Sequence, residues 1–270
     1  MAEFTMKNET IFVSVDEHAS EIHSLKRFDN GVEYMWQGDP AFWAGRNPTL
    51  FPMVGSTWDK ILHINGKDYV TGNHGFTRNS EFTCIEHSED RIVMELRDSE
   101  ETLKQYPFHF CLHNIYEISG DTLRVRNELT NTGEIPMPFN FGYHPAFNVP
   151  MKEGESFEDY RILFDQPEMI DGKETKELKL DREKLAATVI LTDPKSSVYT
   201  LTNGKTAVIM TAPDYPWCAF WSPRAPFVCM EPWYSHTDFE KVEVPFEKRE
   251  GTKILEAGKT FKAGYDLRLK

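Results

Sequence analysis

The chain has 270 residues, of which 40% are hydrophobic and 27% charged; this ordinary globular composition excludes a disordered protein. The formal net charge is −13, from 30 Lys and Arg against 43 Asp and Glu, so we expect neither nucleic acid nor an anionic membrane surface as a partner. No run of about 18 apolar residues is present, which argues against a membrane-spanning helix.

Alternation of apolar and polar residues with a period of two dominates the chain and predicts β-strands. The alternation is clearest over the last ten residues. In chain order, the predicted strands are Thr10–Val15, Glu33–Trp36, Glu81–Glu86, Arg91–Leu96, Phe108–Leu112, Leu123–Leu129, Arg161–Phe164, Ser197–Leu201, Thr206–Thr211, Cys218–Trp221, Phe227–Met230 and Phe261–Lys270.

The segments between these strands predict few other elements. Ser99–Tyr106 is the one short helix predicted, and the proline that follows ends it. Asn203-Gly204 predicts a two-residue hairpin turn, and the charged region Lys152–Glu183 predicts loops around a single strand. Neither a flexible linker nor a repeat of fixed period divides the chain. We therefore predict one all-β domain over residues 1–270, a large antiparallel sandwich.

The N-terminus and the cysteines indicate the compartment. No apolar signal region is present, and residues 1–5 followed by a second methionine, Met6, resemble a cloning scar ahead of the native start. The four cysteines show no CxxC pair and no zinc-type spacing, so we expect them to be reduced and buried; they are Cys84, Cys111, Cys218 and Cys229. These features predict a cytoplasmic protein.

Three short segments place titratable side chains among glycine, proline and aromatic residues: Asn73–Arg78, Asn140–Phe147 and Cys229–Trp233. In the last two, His144 and Glu231 end apolar strands and are followed by proline, which favours extended geometry at the preceding residue. Apolar neighbours raise the pKa of a carboxyl group toward that of a general base, and histidine titrates near neutral pH. These residue types favour proton transfer without a cofactor.

Each of these residues also has a structural interpretation. A single histidine or glutamate is more often structural than catalytic, and Arg46 or Arg78 could be an ion-pair partner of Glu231. A glutamate inside an apolar strand is costly unless it is paired, which makes a purely structural role harder to accept for Glu231. The residues by themselves leave both interpretations open.

A metal site is another alternative. His74, His144 and Glu231 are zinc-ligand types, but no two of them are close enough in sequence to nucleate binding. His109 and His113 fall on a predicted strand, where four residues span about 13 Å. No GxSxG elbow, P-loop or dinucleotide fingerprint is present. We therefore expect neither a metal nor another cofactor.

Taken in order, segments along the chain resemble the aldose 1-epimerase (galactose mutarotase) family, and within it the shorter LacX-like subgroup. Each motif is weak alone, and their common order and spacing carry the resemblance. The segments are Trp36–Trp43, Arg46–Gly55, His74–Arg78, Tyr106–Phe110, Asn140–Pro150, Phe220–Ser222 and Glu231–Trp233. The resemblance implies a galactose mutarotase-like β-supersandwich that interconverts the α and β anomers of an aldose.

The resemblance also implies roles for individual residues. Glu231 matches the general base of the family, His144 its general acid and His74 its second active-site histidine. Arg46 resembles the arginine that contacts the sugar. These assignments make acid–base ring opening and reclosure the expected chemistry.

Arg78 and Trp233 complete the predicted substrate-binding set. If the base and the acid each hydrogen-bond one sugar ring from opposite sides, the Glu231 carboxylate and the nearest His144 nitrogen should lie roughly 5–8 Å apart. The pH–rate profile should be bell-shaped, with an acid limb from Glu231 and an alkaline limb from His144.

One departure from the family pattern keeps alternatives open. Many members carry a substrate-binding Asp where this chain has Leu185–Leu191, which holds no acid; Asp181 and Asp193 only flank it. The leading hypothesis is a mutarotase for an aldohexose. The alternatives are a hexose 6-phosphate epimerase, with the phosphate at Arg46 and Arg78, and a non-catalytic carbohydrate-binding protein. The expected partner is therefore a sugar or sugar phosphate, and the chain is expected to be a monomer or homodimer.

Overall fold

The computed structural model describes residues 2–270, with 47% of residues in strands and 7% in helices. In chain order the strands are β1 Glu3–Lys7, β2 Ile11–Asp16, β3 Ile22–Arg27, β4 Thr49–Leu50, β5 Leu62–Ile64, β6 Lys67–Tyr69, β7 Thr83–His87, β8 Arg91–Arg97, β9 Phe110–Ser119, β10 Thr122–Asn131, β11 Met137–Phe139, β12 Gly142–Tyr143, β13 Ala146–Asn148, β14 Arg161–Ile170, β15 Lys173–Lys179, β16 Val189–Thr192, β17 Val198–Thr202, β18 Ala207–Thr211, β19 Trp217–Trp221, β20 Phe227–Trp233, β21 Lys253–Leu255 and β22 Thr260–Leu269. The helices are α1 Glu100–Gln105 and α2 Arg182–Ala186, and single 3₁₀ turns cover Thr77–Asn79, Phe157–Asp159 and Phe246–Lys248.

Two large antiparallel sheets form the body of the molecule, which confirms the predicted fold class. The first has nine strands in the order β15-β14-β17-β18-β22-β10-β9-β8-β7, and the second has six, in the order β16-β19-β20-β12-β4 with β13 also paired to β20. A three-stranded sheet, β1-β2-β3, and the pairs β11-β21 and β5-β6 complete the structure. Within residues 2–270, no helix has the length and hydropathy needed to span a bilayer.

Strand β20 shows how the six-stranded sheet separates the core from its other face. Val228 and Met230 belong to the main apolar cluster, together with residues of the nine-stranded sheet such as Leu267. Because side chains alternate along a strand, Cys229 and Glu231 point to the opposite face. That face is also covered, so all seven residues of β20 are buried and the strand reads as a continuous apolar run.

Eleven of the twelve strands predicted from the period-2 pattern overlap a strand of the structure. The exception is Glu33–Trp36, which makes only isolated bridges. Here side chains replace the ladder partners: the Glu33 carboxylate accepts the backbone N–H groups of Leu25 and Met35, and the Asn148 amide donates to the carbonyls of Glu33 and Met35. The predicted short helix is confirmed as α1, which has Ser99 as its N-cap.

Two turn and loop predictions are wrong. The pairing of β17 with β18 ends at Thr202 and Ala207, which leaves a four-residue connection instead of a two-residue turn. The Asn203 side chain closes this connection by accepting hydrogen bonds from the backbone N–H groups of Lys205 and Thr206. The region Lys152–Glu183 contains two strands, β14 and β15, rather than one. β15 is the edge of the nine-stranded sheet, where charged side chains are typical and mask the pattern of a strand.

The predictions for the N-terminal residues and for one cysteine also differ from the structure. Residues 3–5, predicted to belong to a cloning scar, form part of β1 and pair with β2. All four cysteines are free thiols, but Cys84 is half-buried on β7 whereas the other three are buried, as expected for apolar strands.

Candidate active site

A cavity of about 470 Å³ lies on the face of the six-stranded sheet that points away from the main core. It brings together side chains from all three segments singled out in the sequence. Its lining comprises Trp43, Gly55, Asn73, His74, Arg78, His144, Ala187, Thr188, Ile190, Trp221, Glu231, Trp233, Thr237 and Phe239. Five of the six predicted site residues are therefore neighbours in space, although more than 150 positions separate the first from the last.

Glu231 and His144 lie side by side on the floor of this cavity. Strands β12 and β13 both pair with β20, and His144 lies in the connection between them, next to Glu231. The distance from His144 Nε2 to Glu231 Oε2 is 3.3 Å. The predicted separation of roughly 5–8 Å is wrong, because the two groups are cross-strand neighbours on one sheet face instead of opposing walls of the cavity.

Burial makes this pair prefer its uncharged forms. Desolvation raises the pKa of Glu231 well above its ordinary value. It lowers the pKa of His144 well below its ordinary value, with smaller contributions from His74 and Arg78. Both shifts favour a carboxylic acid beside a neutral imidazole. The pair therefore carries one proton more than a carboxylate beside a neutral imidazole would, and this proton resides on Glu231. Glu231 Oε2 and His144 Nδ1 are buried without a hydrogen-bond partner in the described part of the chain.

His74 is held as a neutral hydrogen-bond donor. Its backbone N–H donates to the Gly55 carbonyl at 2.8 Å, and the Gly55 N–H donates to His74 Nδ1 at 3.0 Å. Since Nδ1 accepts, the proton of the neutral ring resides on Nε2. Burial, with a contribution from Arg78, lowers the pKa of His74 to about 3, so the ring stays uncharged at neutral pH. In this neutral form the His74 ring can donate a hydrogen bond only through Nε2–H.

The glycine after His74 allows this arrangement. Gly75 has φ +74°, and a Cβ at this position would lie 2.1 Å from the Phe51 carbonyl oxygen. Both the left-handed backbone and the close approach require glycine. The Phe76 N–H donates to the same carbonyl at 3.2 Å, so the segment carrying His74 and Arg78 is fixed against the end of β4.

Aromatic rings surround His144 and Glu231. The rings of Trp43 and His144 have centroids 4.8 Å apart, and Trp221 lies edge-on to both, at 5.9 Å and 5.5 Å. Such rings suit the apolar faces of a sugar. Neither tryptophan was predicted as a site residue. Both lie in segments that carry the family resemblance, which is the signal that could have identified them.

The two predicted binding arginines differ in position. Arg78 lines the cavity and makes no ion pair within residues 2–270. Arg46 is absent from the lining: its guanidinium donates to the Gln37 carbonyl at 2.9 Å and borders an adjoining depression of about 380 Å³, which Arg78 also lines. The Glu21 carboxylate accepts the Arg46 backbone N–H at 2.7 Å and fixes the chain there. A direct sugar contact by Arg46 is therefore not supported by its position.

The stretch without the expected Asp does border the cavity. Helix α2 ends at Ala186, with Ala187 as its C-cap, and Thr188 follows with φ +65°, a conformation that is strained for a β-branched residue. This turn presents Ala187, Thr188 and Ile190 to the cavity, with no carboxylate among them. Asp181 instead caps α2 by accepting the Lys184 N–H at 2.8 Å.

The chain is similar to known proteins over nearly its whole length. The sequence model of the family described as Aldose 1-epimerase matches residues 3–266. Protein LacX (chromosomal) of Lactococcus lactis subsp. lactis is 32% identical, with 97% of each chain covered. A galactose mutarotase related enzyme from Lactobacillus acidophilus superposes with a TM-score of 0.92 at 28% identity, covering 100% of this chain and 97% of that one. A galactose mutarotase-like protein from Lactobacillus casei gives 0.91 at 27% identity with both chains fully covered.

Proposed function

The chain belongs to the aldose 1-epimerase family, and from this premise we propose that it is an isomerase that interconverts the α and β anomers of an aldohexose. The observation that carries the proposal is the contact between the Glu231 carboxyl and the His144 imidazole, 3.3 Å apart on the floor of the cavity. The cavity volume of about 470 Å³ falls within the range of roughly 300–1,000 Å³ that is typical of small-ligand sites.

The proposed reaction needs one proton acceptor and one proton donor. The Glu231 carboxylate removes the proton from the sugar C1 hydroxyl while His144 Nε2 gives a proton to the ring oxygen. The bond between C1 and the ring oxygen breaks as the C1 carbonyl forms. Rotation about C1–C2 and reversal of both proton transfers then close the ring as the other anomer.

The proton inventory of the pair fits this cycle. A carboxylate with an imidazolium and a carboxylic acid with a neutral imidazole contain the same number of protons and have the same net charge. Ring opening converts the first arrangement into the second, and ring closure restores it. Because burial favours the uncharged arrangement in the empty site, the Glu231 proton passes to His144 before ring opening, and ring opening restores the uncharged arrangement.

The surrounding residues supply binding and orientation. In our proposal His74 Nε2–H donates to a sugar hydroxyl, while Trp43, Trp221 and Trp233 pack against the ring. The wall formed by α2 and β16 is uncharged, so the sugar hydroxyls near it are read without a carboxylate. This predicts a hydroxyl preference different from that of members with an Asp there.

The test is a direct measurement of anomer exchange. Purified protein is added to freshly dissolved α-galactose and α-glucose, and the exchange rate is followed by polarimetry and by NMR saturation transfer. We expect concentration-dependent acceleration over the uncatalysed rate for at least one sugar. Saturable binding with no acceleration across the panel would refute the isomerase and leave a non-catalytic carbohydrate-binding protein.

A second candidate is an epimerase for a hexose 6-phosphate, and Arg78 favours it. This guanidinium lines the cavity without an ion-pair partner in the described residues, and Arg46 lies in the adjoining depression. Neither guanidinium forms an ion pair in the described residues, although the Glu21 carboxyl, which accepts the Arg46 backbone N–H, also lines the depression. In a chain of net charge −13, two such cations suit an anionic substituent. Adding galactose 6-phosphate and glucose 6-phosphate to the same panel distinguishes the candidates by their kcat/KM values.

A cytoplasmic location remains part of the proposal. Its support is chemical: the cysteines are free thiols, as is usual in a reducing compartment. Cell fractionation with detection of the native protein tests it, and recovery outside the cytoplasm would contradict it.

A further inference from the structure

Cys229 is a third metal-ligand type at the catalytic pair. It lies two residues before Glu231 on β20, on the same face of the strand, and is fully buried. We call His144, Cys229 and Glu231 the floor triad. One ligand atom from each residue lies within 4.8 Å of the other two. From the sequence, zinc was considered only with His74, because the apolar neighbours of Cys229 are those of an ordinary buried cysteine.

We propose that the floor triad binds Zn²⁺ and that the bound ion inhibits the isomerase; the inhibition rests on the proposed function, whereas the binding does not. Imidazole nitrogen, thiolate sulfur and carboxylate oxygen are the three ligand types that zinc prefers, at about 2.0–2.3 Å. Two ligands of a tetrahedral ion are then roughly 3.3–3.8 Å apart. His144 Nε2 and Glu231 Oε2 already have this spacing, at 3.3 Å.

The hydrogen bonding of the floor triad leaves ligand atoms free. Glu231 Oε2 has no hydrogen-bond partner, although the residue is only 1% exposed. Binding releases the thiol proton and any carboxyl proton to solvent. The resulting thiolate and carboxylate then balance the charge of the ion. This attraction offsets the cost of burying a divalent cation and of ionising the Cys229 thiol, whose pKa burial raises. Because Glu231 and His144 line the cavity, solvent supplies the fourth ligand.

Inhibition follows from which atoms the ion occupies. A zinc-bound Oε2 no longer accepts the proton of the C1 hydroxyl, and a zinc-bound Nε2 carries no proton to give to the ring oxygen. The ion therefore removes the base and the acid together. It is an inhibitor and not a cofactor, so the expectation that activity needs no metal is unchanged.

A second group of the same composition provides a control. Glu95, Cys111 and His113, here called the outer triad, also place three ligand atoms within 4.8 Å. However, Arg97 makes two hydrogen bonds to the Glu95 carboxylate, at 2.8 Å and 2.9 Å. This guanidinium occupies the carboxylate and repels a cation, so we expect the floor triad to bind the tighter ion.

The binding test uses Co²⁺ as a visible substitute for Zn²⁺. Full-length protein, treated with a chelator and a non-thiol reductant, is titrated with Co²⁺, and the thiolate-to-cobalt charge-transfer band is recorded. The variants are Cys111→Ser, Cys229→Ser and the double substitution. We expect Cys111→Ser to keep a saturable band at one equivalent that Zn²⁺ abolishes, and the double variant to have none. A band in Cys111→Ser that persists in the double variant, or the absence of any band from Cys111→Ser, would overturn the proposal.

The activity test measures Zn²⁺ inhibition of anomer exchange relative to each variant's own rate without zinc. We expect the half-inhibitory concentration to be unchanged in Cys111→Ser and to rise at least about tenfold in Cys229→Ser. Cys229→Ala replaces it if the serine variant is not folded by circular dichroism. If no sugar is exchanged but the cobalt band follows Cys229, the proposed function fails and the metal site stands. If exchange occurs and zinc inhibits all variants equally, the metal site fails alone.

Discussion

The floor triad and the outer triad contain the same three residue types in the same kind of strand pairing, yet their electrostatics are opposite. In the outer triad, hydrogen bonds from Arg97, with a further one from His113, lower the pKa of Glu95 to about 2. On the cavity floor no cation contacts Glu231, and burial raises its pKa well above the ordinary value. One glutamate is a permanent anion in an ion pair, and the other is poised for proton transfer.

This difference shows that residue type and spacing do not define an acid–base site. His113 Nε2 is 2.9 Å from Glu95 Oε2, closer than His144 is to Glu231, so proximity alone would favour the outer triad. What distinguishes the floor triad is the absence of a neutralising guanidinium, together with burial beside a cavity.

The largest effect should come from removing the base. Glu231→Gln keeps the size of the side chain but does not accept a proton, and general acid–base groups contribute about 10²–10⁴-fold. We expect kcat for anomer exchange to fall by that factor while sugar affinity changes much less. Glu95→Gln, the matched change in the outer triad, should leave kcat unchanged. Full activity of Glu231→Gln would show that another group is the base.

The next effect concerns the unpaired arginine. If the substrate carries a phosphate, Arg78→Gln removes a charge-assisted hydrogen bond worth roughly 1.5–3 kcal/mol, which corresponds to a roughly 10–150-fold loss in kcat/KM for the sugar phosphate. Plain sugars should lose much less. Arg97→Gln, whose guanidinium is engaged by Glu95, is the control. Equal losses for phosphorylated and plain sugars would exclude a phosphate site at Arg78, and the same comparison with Arg46→Gln tests the adjoining depression.

A smaller effect is expected at His74. Asn tolerates the left-handed backbone of this position but lacks the ring Nε2–H, so His74→Asn removes one neutral hydrogen bond, worth about 0.5–1.5 kcal/mol. We expect KM to rise roughly 2- to 12-fold with little change in kcat. His113→Asn in the outer triad should leave KM unchanged. A loss in kcat comparable with that of Glu231→Gln would instead make His74 an acid or base.

The smallest effect should be the response of the rate to pH near neutrality. In the active state, His144 and Glu231 together carry one proton more than a neutral imidazole and a carboxylate. Activity is lost when the pair binds a further proton or when it loses this one. Since burial lowers the pKa of His144, the acid limb reports its protonation; since burial raises the pKa of Glu231, the alkaline limb reports its ionisation. This reverses the assignment made from the sequence, and the shifts widen the flat region between the limbs.

Carbon-13 NMR of labelled glutamate side chains provides the check. The Glu231 carboxyl should titrate together with the alkaline limb of the rate profile, while the Glu95 carboxyl should titrate at low pH, with its pKa at about 2. Titration of Glu231 along the acid limb would restore the sequence-based assignment. The variants Glu231→Gln and Glu95→Gln identify the two resonances.

The fold class, and five of the residues that line the cavity, could be predicted from the sequence. Alternating apolar residues are sufficient to locate strands whose two faces differ, as in β10 and β22, because the pattern is the direct record of one buried face. The motifs around His74, His144 and Glu231 identified residues that share one cavity. Glu231 was recognisable because a glutamate in an apolar strand is costly unless the protein uses it.

The contacts between distant side chains, and the burial and charge around each of them, could not be predicted from the sequence because they depend on the tertiary structure. The pairing of β12 and β13 with β20 places His144 beside Glu231 and Cys229 behind them, and no local pattern encodes a contact between residues so distant in the chain. Likewise, the Glu21 carboxylate accepts the backbone N–H of Arg46 and fixes the chain there, with the Arg46 guanidinium outside the cavity. The turn that carries Arg78 instead places the Arg78 guanidinium in the cavity lining. Distances, burial and partners set pKa values and ligand geometry, and these quantities exist only once distant strands have paired.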